Sequence, residues 1–295
     1  MPERRAPIWL WPNLLSLDAP LVAVAWLYMF ARAWRVDFHP WHAYVALGLT
    51  VWLIYVADRL LDVRMKDADD PSLGRRHDFH ARHQKKFLIG MAVASSIVLW
   101  IALEFLPFEV FRYSIPIGAM VLGFFAFVVM VPSSHEISYF RNVVAGMTFG
   151  FGTAMGAHIY IPVEHILEMV SSREVISFGV LCALNISAIH LWEHSRRSDD
   201  PEVRAADELT LTLPLTLVAA AALVFGYLDN PGMFGSSEEG AGAPTRPFFY
   251  AVLISAALLQ VINKNRDRFS MDALRSLADL AMIVPLPLFV VFSGS

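Results

Sequence analysis

Two aspartates stand one helical turn apart at the end of an apolar segment of this chain. They are Asp58 and Asp62, and the stretch before them, 42–57, contains no Asp, Glu, Lys or Arg. On a helix, residues i and i+4 share one face, so the two carboxylates would face the same side. A carboxylate costs roughly 2.5–3.5 kcal/mol in a bilayer, so such acids usually have a partner or a function. Paired carboxylates suit Mg²⁺, which binds one or two of them together with waters and a substrate phosphate.

The segment that follows the pair, 63–86, is basic and is predicted to be a loop. It contains Arg75 and Arg76, and Arg59 lies between the two aspartates in sequence. Such cations bind polyanions such as a diphosphate, which predicts that the loop is a lid over the aspartate pair. The ordinary enrichment of basic residues in cytoplasmic loops explains the same composition, and both interpretations stay open.

A second polar group ends a later apolar segment. His190, Glu193 and Arg197 follow one another at spacings of three and four, so they share one helical face. Glu193 is predicted to be a further acidic contact for the metal or the substrate, with His190 and Arg197 beside it. The alternative is a Glu193–Arg197 pair that caps a membrane helix. Arg141 and Asn142 begin another apolar segment and are predicted to face the same cavity.

The composition indicates which elements position these residues. The chain is 56% hydrophobic and 17% charged, with a mean hydropathy of +0.51. Since about 20 apolar residues span a bilayer, the fold class is predicted to be all-α and polytopic, with about nine transmembrane helices in one membrane domain, 1–295. The segment 229–246 is predicted to be a flexible external loop. The nine spans are predicted at about 13–33, 41–61, 87–106, 113–131, 142–161, 175–193, 209–228, 246–262 and 276–293.

The distribution of Lys and Arg predicts the orientation. Of the 23 basic residues, seventeen lie at the amino terminus and in the loops after the even-numbered spans, and Arg59 lies within a span. Such a bias places the first group in the cytoplasm. The protein is therefore predicted to lie in the cytoplasmic membrane, with the candidate site on the cytoplasmic face. No nucleic acid or protein partner is predicted. The opposite loops carry only Arg32, Arg35, Arg112, Arg173 and Arg246.

These features resemble the UbiA-type intramembrane prenyltransferases. The likeness comprises the nine spans, Asp58 and Asp62 as a D-x-x-x-D at the end of span two, the basic loop after it, and the polar site at the end of span six. The family has Asn where this chain has Ile54. Its second motif is usually D-x-x-x-D, which Glu193 and Arg197 occupy here. Arg141 resembles the basic residue that the family places before span five.

The resemblance implies an enzyme that transfers a prenyl group from an isoprenyl diphosphate to a lipophilic, often aromatic, acceptor within the bilayer. Asp58, Asp62 and Glu193 would be the catalytic, Mg²⁺-binding residues. Two alternatives stay open, namely a membrane terpene cyclase on the same fold and a transporter or non-catalytic lipid-binding protein. Mg²⁺-dependent release of diphosphate distinguishes the enzymes from the third class. The residues that would bind the substrate are Arg59, Arg75, Arg76, Arg141, Asn142, His190 and Arg197.

Overall fold

The computed structural model of this protein is all-α over the residues that it describes, which confirms the predicted fold class. Those residues are 7–36, 39–65, 75–130, 135–161, 166–228 and 245–293. The helices are α1 (Trp11–Leu14), α2 (Asp18–Ala33), α3 (Trp41–Met65), α4 (Arg75–Arg82), α5 (Gln84–Glu104), α6 (Glu109–Met130), α7 (His135–His158), α8 (Ile166–Ser171), α9 (Arg173–Arg197), α10 (Pro201–Leu228), α11 (Arg246–Lys264), α12 (Met271–Ile283) and α13 (Pro285–Ser293). A short 3₁₀ turn, Arg266–Arg268, joins α11 to α12.

Seven helical stretches within the described residues are long and apolar enough to cross a membrane. An eighth is added if the pair Ile8–Leu14 and Asp18–Ala33, bent by 83°, counts as one span. Each of the nine predicted segments is helical over most of its length, but the predicted number of nine spans is not confirmed. The seven stretches are Trp41–Arg64, Gln84–Glu104, Glu109–Ala126, Arg173–Arg197, Pro201–Leu228, Arg246–Lys264 and Met271–Ser293.

The outer faces of several spans are apolar, which identifies the chain as a membrane protein. On α5, the side chains of Ile89, Trp100 and Leu103 are each more than half exposed. On α10, Leu209 and Leu217 are exposed to a similar degree. Continuous apolar surface of this extent is rare on soluble monomers and is typical of a face that contacts lipid.

Helix α7 packs closely against α9 through small residues. A Cβ atom added to Gly146 would overlap the backbone of Ala183, and one added to Gly150 would lie 2.8 Å from Gly179 Cα. Glycine thus allows the two backbones to touch, as in many membrane helix pairs. The same glycines and the polar residues of α7 lower its hydropathy, which explains why α7 is not among the seven stretches.

The described residues form two compact units, each with its own packing. The first comprises the chain up to Val24 together with Pro40–Leu106, and its core contains Val56, Leu60 and Phe87. The second comprises Ala25–His39 and the chain from Pro107 onward.

Aromatic rings dominate the core of the second unit. Trp26 stacks on Phe178 with ring centroids 4.2 Å apart, and Phe30 and Phe248 complete the group. The Trp26 indole N–H donates to the carbonyl oxygen of Met282 at 2.9 Å, which gives this buried polar atom a partner.

The two predicted loops fall partly outside the described residues. The predicted lid, 63–86, contains the end of α3, the whole of α4 and the start of α5, while 66–74 lie outside. The predicted loop 229–246 lies outside except for its last two residues. Within the predicted lid, Arg75–Arg82 form a helix with two buried histidines, and the role of this segment as a lid stays a prediction.

Candidate functional site

The aspartate pair occupies the last two turns of α3, in the first unit. The Asp58 carboxylate accepts a hydrogen bond from Arg59 Nη1 at 2.7 Å, and Asp62 Oδ2 lies 3.9 Å from the same nitrogen. Arg59 also lies over the ring of Tyr55, 6.0 Å from its centroid. Both carboxylates therefore converge on one positively charged atom, as their spacing predicted.

The pair is only partly shielded from solvent. The exposed fraction is 28% for the Asp58 side chain, 20% for Asp62 and 14% for Arg59. A pair at this depth retains access for an ion or a phosphate, while its charges are less screened than those on an open surface.

Helix α4 contributes a histidine to the pair. His77 Nε2 lies 3.4 Å from Asp62 Oδ2, and the His77 side chain is almost completely buried. Burial is the largest influence on this imidazole and lowers its pKa, although Asp62 acts in the opposite direction. The neutral ring is therefore favoured at neutral pH, so its contact with Asp62 is not an ion pair.

A second histidine fixes α4 against the rest of the first unit. His80 Nδ1 lies 2.7 Å from the carbonyl oxygen of Arg76, and its Nε2 lies 3.3 Å from Ser16 Oγ. Its ring stacks on Phe87 at a centroid distance of 4.1 Å. This geometry suits a neutral tautomer in which Nδ1–H donates to the carbonyl and Nε2 accepts from the hydroxyl. Burial lowers the pKa of His80 to about 4.

The donor set at the end of α3 is compatible with Mg²⁺. Two carboxylates that already share one cationic nitrogen can share a metal ion once Arg59 turns away. Two is also the number of carboxylates that Mg²⁺ commonly takes from a protein. Within the described part of the chain, no group of three or more His, Cys, Asp or Glu side chains is arranged to hold an ion.

Glu193 lies in the second unit and has a partner that the sequence did not reveal. Its Oε1 accepts from Arg275 Nη2 at 2.5 Å, while Arg197 Nη2 lies 4.0 Å from Oε2. Arg275 is almost completely buried, and its Nη1 lies 3.6 Å from Asp272 Oδ1. The predicted Glu193–Arg197 contact is present, but the contact with Arg275 is closer and more deeply buried.

The remaining candidates divide between the two units. Arg75 is exposed and Arg76 half-buried on α4, in the first unit with Asp58 and Asp62. In the second unit, the Asn142 amide lies 3.4 Å from the Ser187 hydroxyl.

Two further candidates of the second unit, Arg141 and His190, are half-buried. His190 lies one turn before Glu193 on α9, as its spacing predicted. That Glu193 joins the aspartates at one ion stays a prediction, because these residues belong to different units.

Two contacts were missed from the sequence. The sequence predicts Asp279, four residues further along the chain, as the partner of Arg275, whereas the structure pairs Arg275 with Glu193 and Asp272, and Asp279 accepts from the Asn185 amide. The contact of His77 with Asp62 was not predicted, yet the three-residue spacing of His77 from His80 places both on the buried face of α4.

Comparison with known proteins identified no relative of this chain. No family model, no curated protein and no solved structure matches the chain. The resemblance to the UbiA-type prenyltransferases therefore depends on its own residues, above all on Asp58 and Asp62 at the end of a membrane-spanning helix.

Proposed function

We propose that this protein is an intramembrane enzyme that uses Mg²⁺ to transfer a prenyl group from an isoprenyl diphosphate to a lipophilic, aromatic acceptor. The observation that supports this proposal is the convergence of Asp58 and Asp62 on one cationic centre, at the end of a helix long and apolar enough to span a membrane. An arrangement of this kind can hold a charged head group while the prenyl tail stays in the apolar interior.

Each candidate site residue of the first unit has a role in this proposal. Asp58 and Asp62 bind the ion, and Arg59 turns from the carboxylates towards the incoming diphosphate. Arg75 and Arg76, on α4, carry the further positive charge that a diphosphate requires. His77, whose Nε2 lies 3.4 Å from Asp62 Oδ2, limits the positions that this carboxylate can take. When bound, Mg²⁺ supplies positive charge that stabilises the departing diphosphate.

The proposed reaction replaces one bond by another. The C–O bond between the prenyl group and the diphosphate breaks, and its electron pair leaves with the diphosphate. An electron-rich carbon of the acceptor bonds to the prenyl carbon and releases a proton. Exclusion of water by the bilayer protects the allylic cation from hydrolysis. In a cyclase, a double bond of the same prenyl chain would take the place of the acceptor.

From the sequence we also propose that Glu193 and its neighbours serve the same reaction. Glu193 would supply the second acidic contact, with His190, Arg197, Arg141 and Asn142 beside the substrate. The orientation that places this chemistry on the cytoplasmic face is inferred from the distribution of basic residues in the sequence.

One contact favours the non-catalytic alternative. Arg59 is paired with Asp58 at 2.7 Å, and an acid that already has a cationic partner also suits a transporter or a lipid-binding protein. Under that alternative the aspartates never bind a divalent ion. Mg²⁺ binding, measured separately from turnover, therefore distinguishes the two functions.

The deciding experiment compares Asp58→Asn and Asp62→Asn with Asp78→Asn, a change at an exposed acid of α4 in the same unit. Purified protein in lipid nanodiscs is given a panel of isoprenyl diphosphates with membrane-extracted acceptors. Release of inorganic diphosphate is followed with and without Mg²⁺, and products are identified by mass spectrometry. The first two changes should abolish Mg²⁺-dependent release, because an amide is a much weaker Mg²⁺ ligand than a carboxylate. The third should leave it unchanged.

The same preparations are tested for a shift of the melting temperature by Mg²⁺. The proposal fails if either aspartate variant keeps near-normal turnover. It also fails if the unchanged protein releases no diphosphate and is not stabilised by Mg²⁺. A product that contains only the prenyl chain would identify a cyclase.

A further inference from the structure

A cationic cavity opens in the second unit, where α9 ends, α10 begins and the 3₁₀ turn Arg266–Arg268 connects α11 to α12. Its volume is about 500 Å³, within the ~300–1,000 Å³ typical of ligand pockets. The residues that line it are Ser195, Arg196, Arg204, Asp267, Arg268 and Phe269.

We propose that this cavity binds a phosphate-bearing anion, namely the head group of an acidic phospholipid or free phosphate. Three arginines from three separate elements surround one space, with Asp267 as the acid among the lining residues. Planar guanidinium groups bind phosphate oxygens through paired hydrogen bonds, which makes arginine the residue best suited to this ligand. This inference is independent of the proposed prenyl transfer, since none of these residues was assigned to that reaction.

Backbone oxygens hold two of the three guanidinium groups in place. Arg196 Nη2 donates to the carbonyl oxygens of Arg266 and Phe269. Arg204 Nε donates to the carbonyl oxygen of Ser198 at 2.9 Å. A guanidinium has five N–H donors, so each of these groups keeps others for a ligand. Positions fixed in this way reduce the entropy that is lost when an anion binds.

The wall of the cavity is itself held by a buried arginine. Arg266 Nη1 donates to Glu208 Oε2 at 2.8 Å, and its Nη2 donates to the carbonyl oxygen of Arg204 at 3.2 Å. Arg266 thus ties the 3₁₀ turn to α10 and fixes the distance between the elements that carry Arg204 and Arg268. A general excess of basic residues at the cytoplasmic face requires no such bracing.

Phe269 favours a lipid as the source of the phosphate. Its side chain is 37% exposed beside the arginines, at the end of the membrane-spanning helices α9 and α10. Aromatic rings are common at the membrane interface, where they contact both head groups and acyl chains. Free phosphate would use the arginines alone.

The test measures anion binding to the purified full-length protein by native mass spectrometry. Detergent-solubilised protein is titrated with phosphatidylglycerol and, separately, with phosphatidylcholine. The double variant Arg204→Gln/Arg268→Gln removes two exposed guanidinium groups and leaves the Arg204 carbonyl that Arg266 requires. Lys264→Gln is the matched control, because Lys264 is exposed at the end of α11 and does not line the cavity.

We expect preferential binding of phosphatidylglycerol, about tenfold or more weaker in the double variant and unchanged in the control. Competition with inorganic phosphate distinguishes the two sources. If phosphate at millimolar concentration binds alone and this binding is lost in the double variant, free phosphate is the ligand, and if only the lipid binds, the ligand is the lipid head group. If the double variant is not monodisperse, the single variant Arg268→Gln replaces it, with a smaller expected loss of lipid binding.

Two results would overturn the proposal. One is equal binding of the two lipids together with no binding of phosphate to the unchanged protein. The other is a loss in Lys264→Gln as large as that in the cavity variants, since the effect would then reflect overall charge.

Discussion

Arg59 is the residue whose removal tests the aspartate pair most directly. In the change Arg59→Gln, Asp58 and Asp62 lose the guanidinium nitrogen that lies 2.7 and 3.9 Å from their Oδ2 atoms. The two negatively charged carboxylates would then repel each other near the end of an apolar helix. We expect the variant to be less stable than the unchanged protein without Mg²⁺ and more strongly stabilised by it.

The magnitude follows from the depth of the pair. Removing one partner of a fully buried ion pair costs about 3–5 kcal/mol, whereas an exposed pair contributes about 0–1 kcal/mol. With side chains 14–28% exposed, the expected loss is intermediate, about 2 kcal/mol. If Mg²⁺ must displace Arg59 in the unchanged protein, removal of this competition should tighten Mg²⁺ binding by about 30-fold.

The assay is thermal unfolding in detergent across a Mg²⁺ titration that starts in chelator. Saturating Mg²⁺ at 100 times its dissociation constant adds about 2.7 kcal/mol, enough to compensate for the missing arginine. Lys86→Gln, which removes an exposed cation of α5 in the same unit, is the control. The reasoning is refuted if Mg²⁺ shifts the melting temperature of Arg59→Gln no more than that of the control.

Three further predictions concern other parts of the molecule. Glu193→Gln should lower the free energy of unfolding by about 2 kcal/mol, because the buried Arg275 loses its closest acid, and a loss below 0.5 kcal/mol would contradict this. His80, with a folded pKa of about 4 below its ordinary 6.5, should make the protein about 2 kcal/mol less stable at pH 5 than at pH 7.5, as measured by chemical unfolding. The contribution of the neutral His80 to the free energy of unfolding is complete above pH 6.5 and is lost as the pH falls towards 4. His80→Gln should therefore flatten the dependence of stability on pH. A cysteine placed at Ser236 should react with a label added outside the cell, whereas one placed at Ser72 should be protected; both positions lie outside the described residues. The reverse pattern would refute the predicted orientation.

The helices were predictable because hydropathy is a local property of the sequence. The spacing of Asp58 and Asp62 was also sufficient to predict that their carboxylates converge, since residues i and i+4 share a helical face. The same rule found Arg197 as a neighbour of Glu193.

The closer partner of Glu193 could not be found in this way. Arg275 lies 82 residues further along the chain, and no periodicity encodes a contact between two different helices. The helix Arg75–Arg82 was missed for another reason. His77 and His80 are buried in it, and polar residues that become buried resemble loop residues in a hydropathy profile.

The close packing of α7 on α9 limits where a lipid can enter the protein. Molecules that come from the bilayer pass sideways through a gap between two helices. Near Gly146 and Gly150 the two backbones are in contact, so no such lateral gate can open there unless the whole pair separates. If the second unit binds a membrane-borne ligand, that ligand must therefore enter between a different pair of helices.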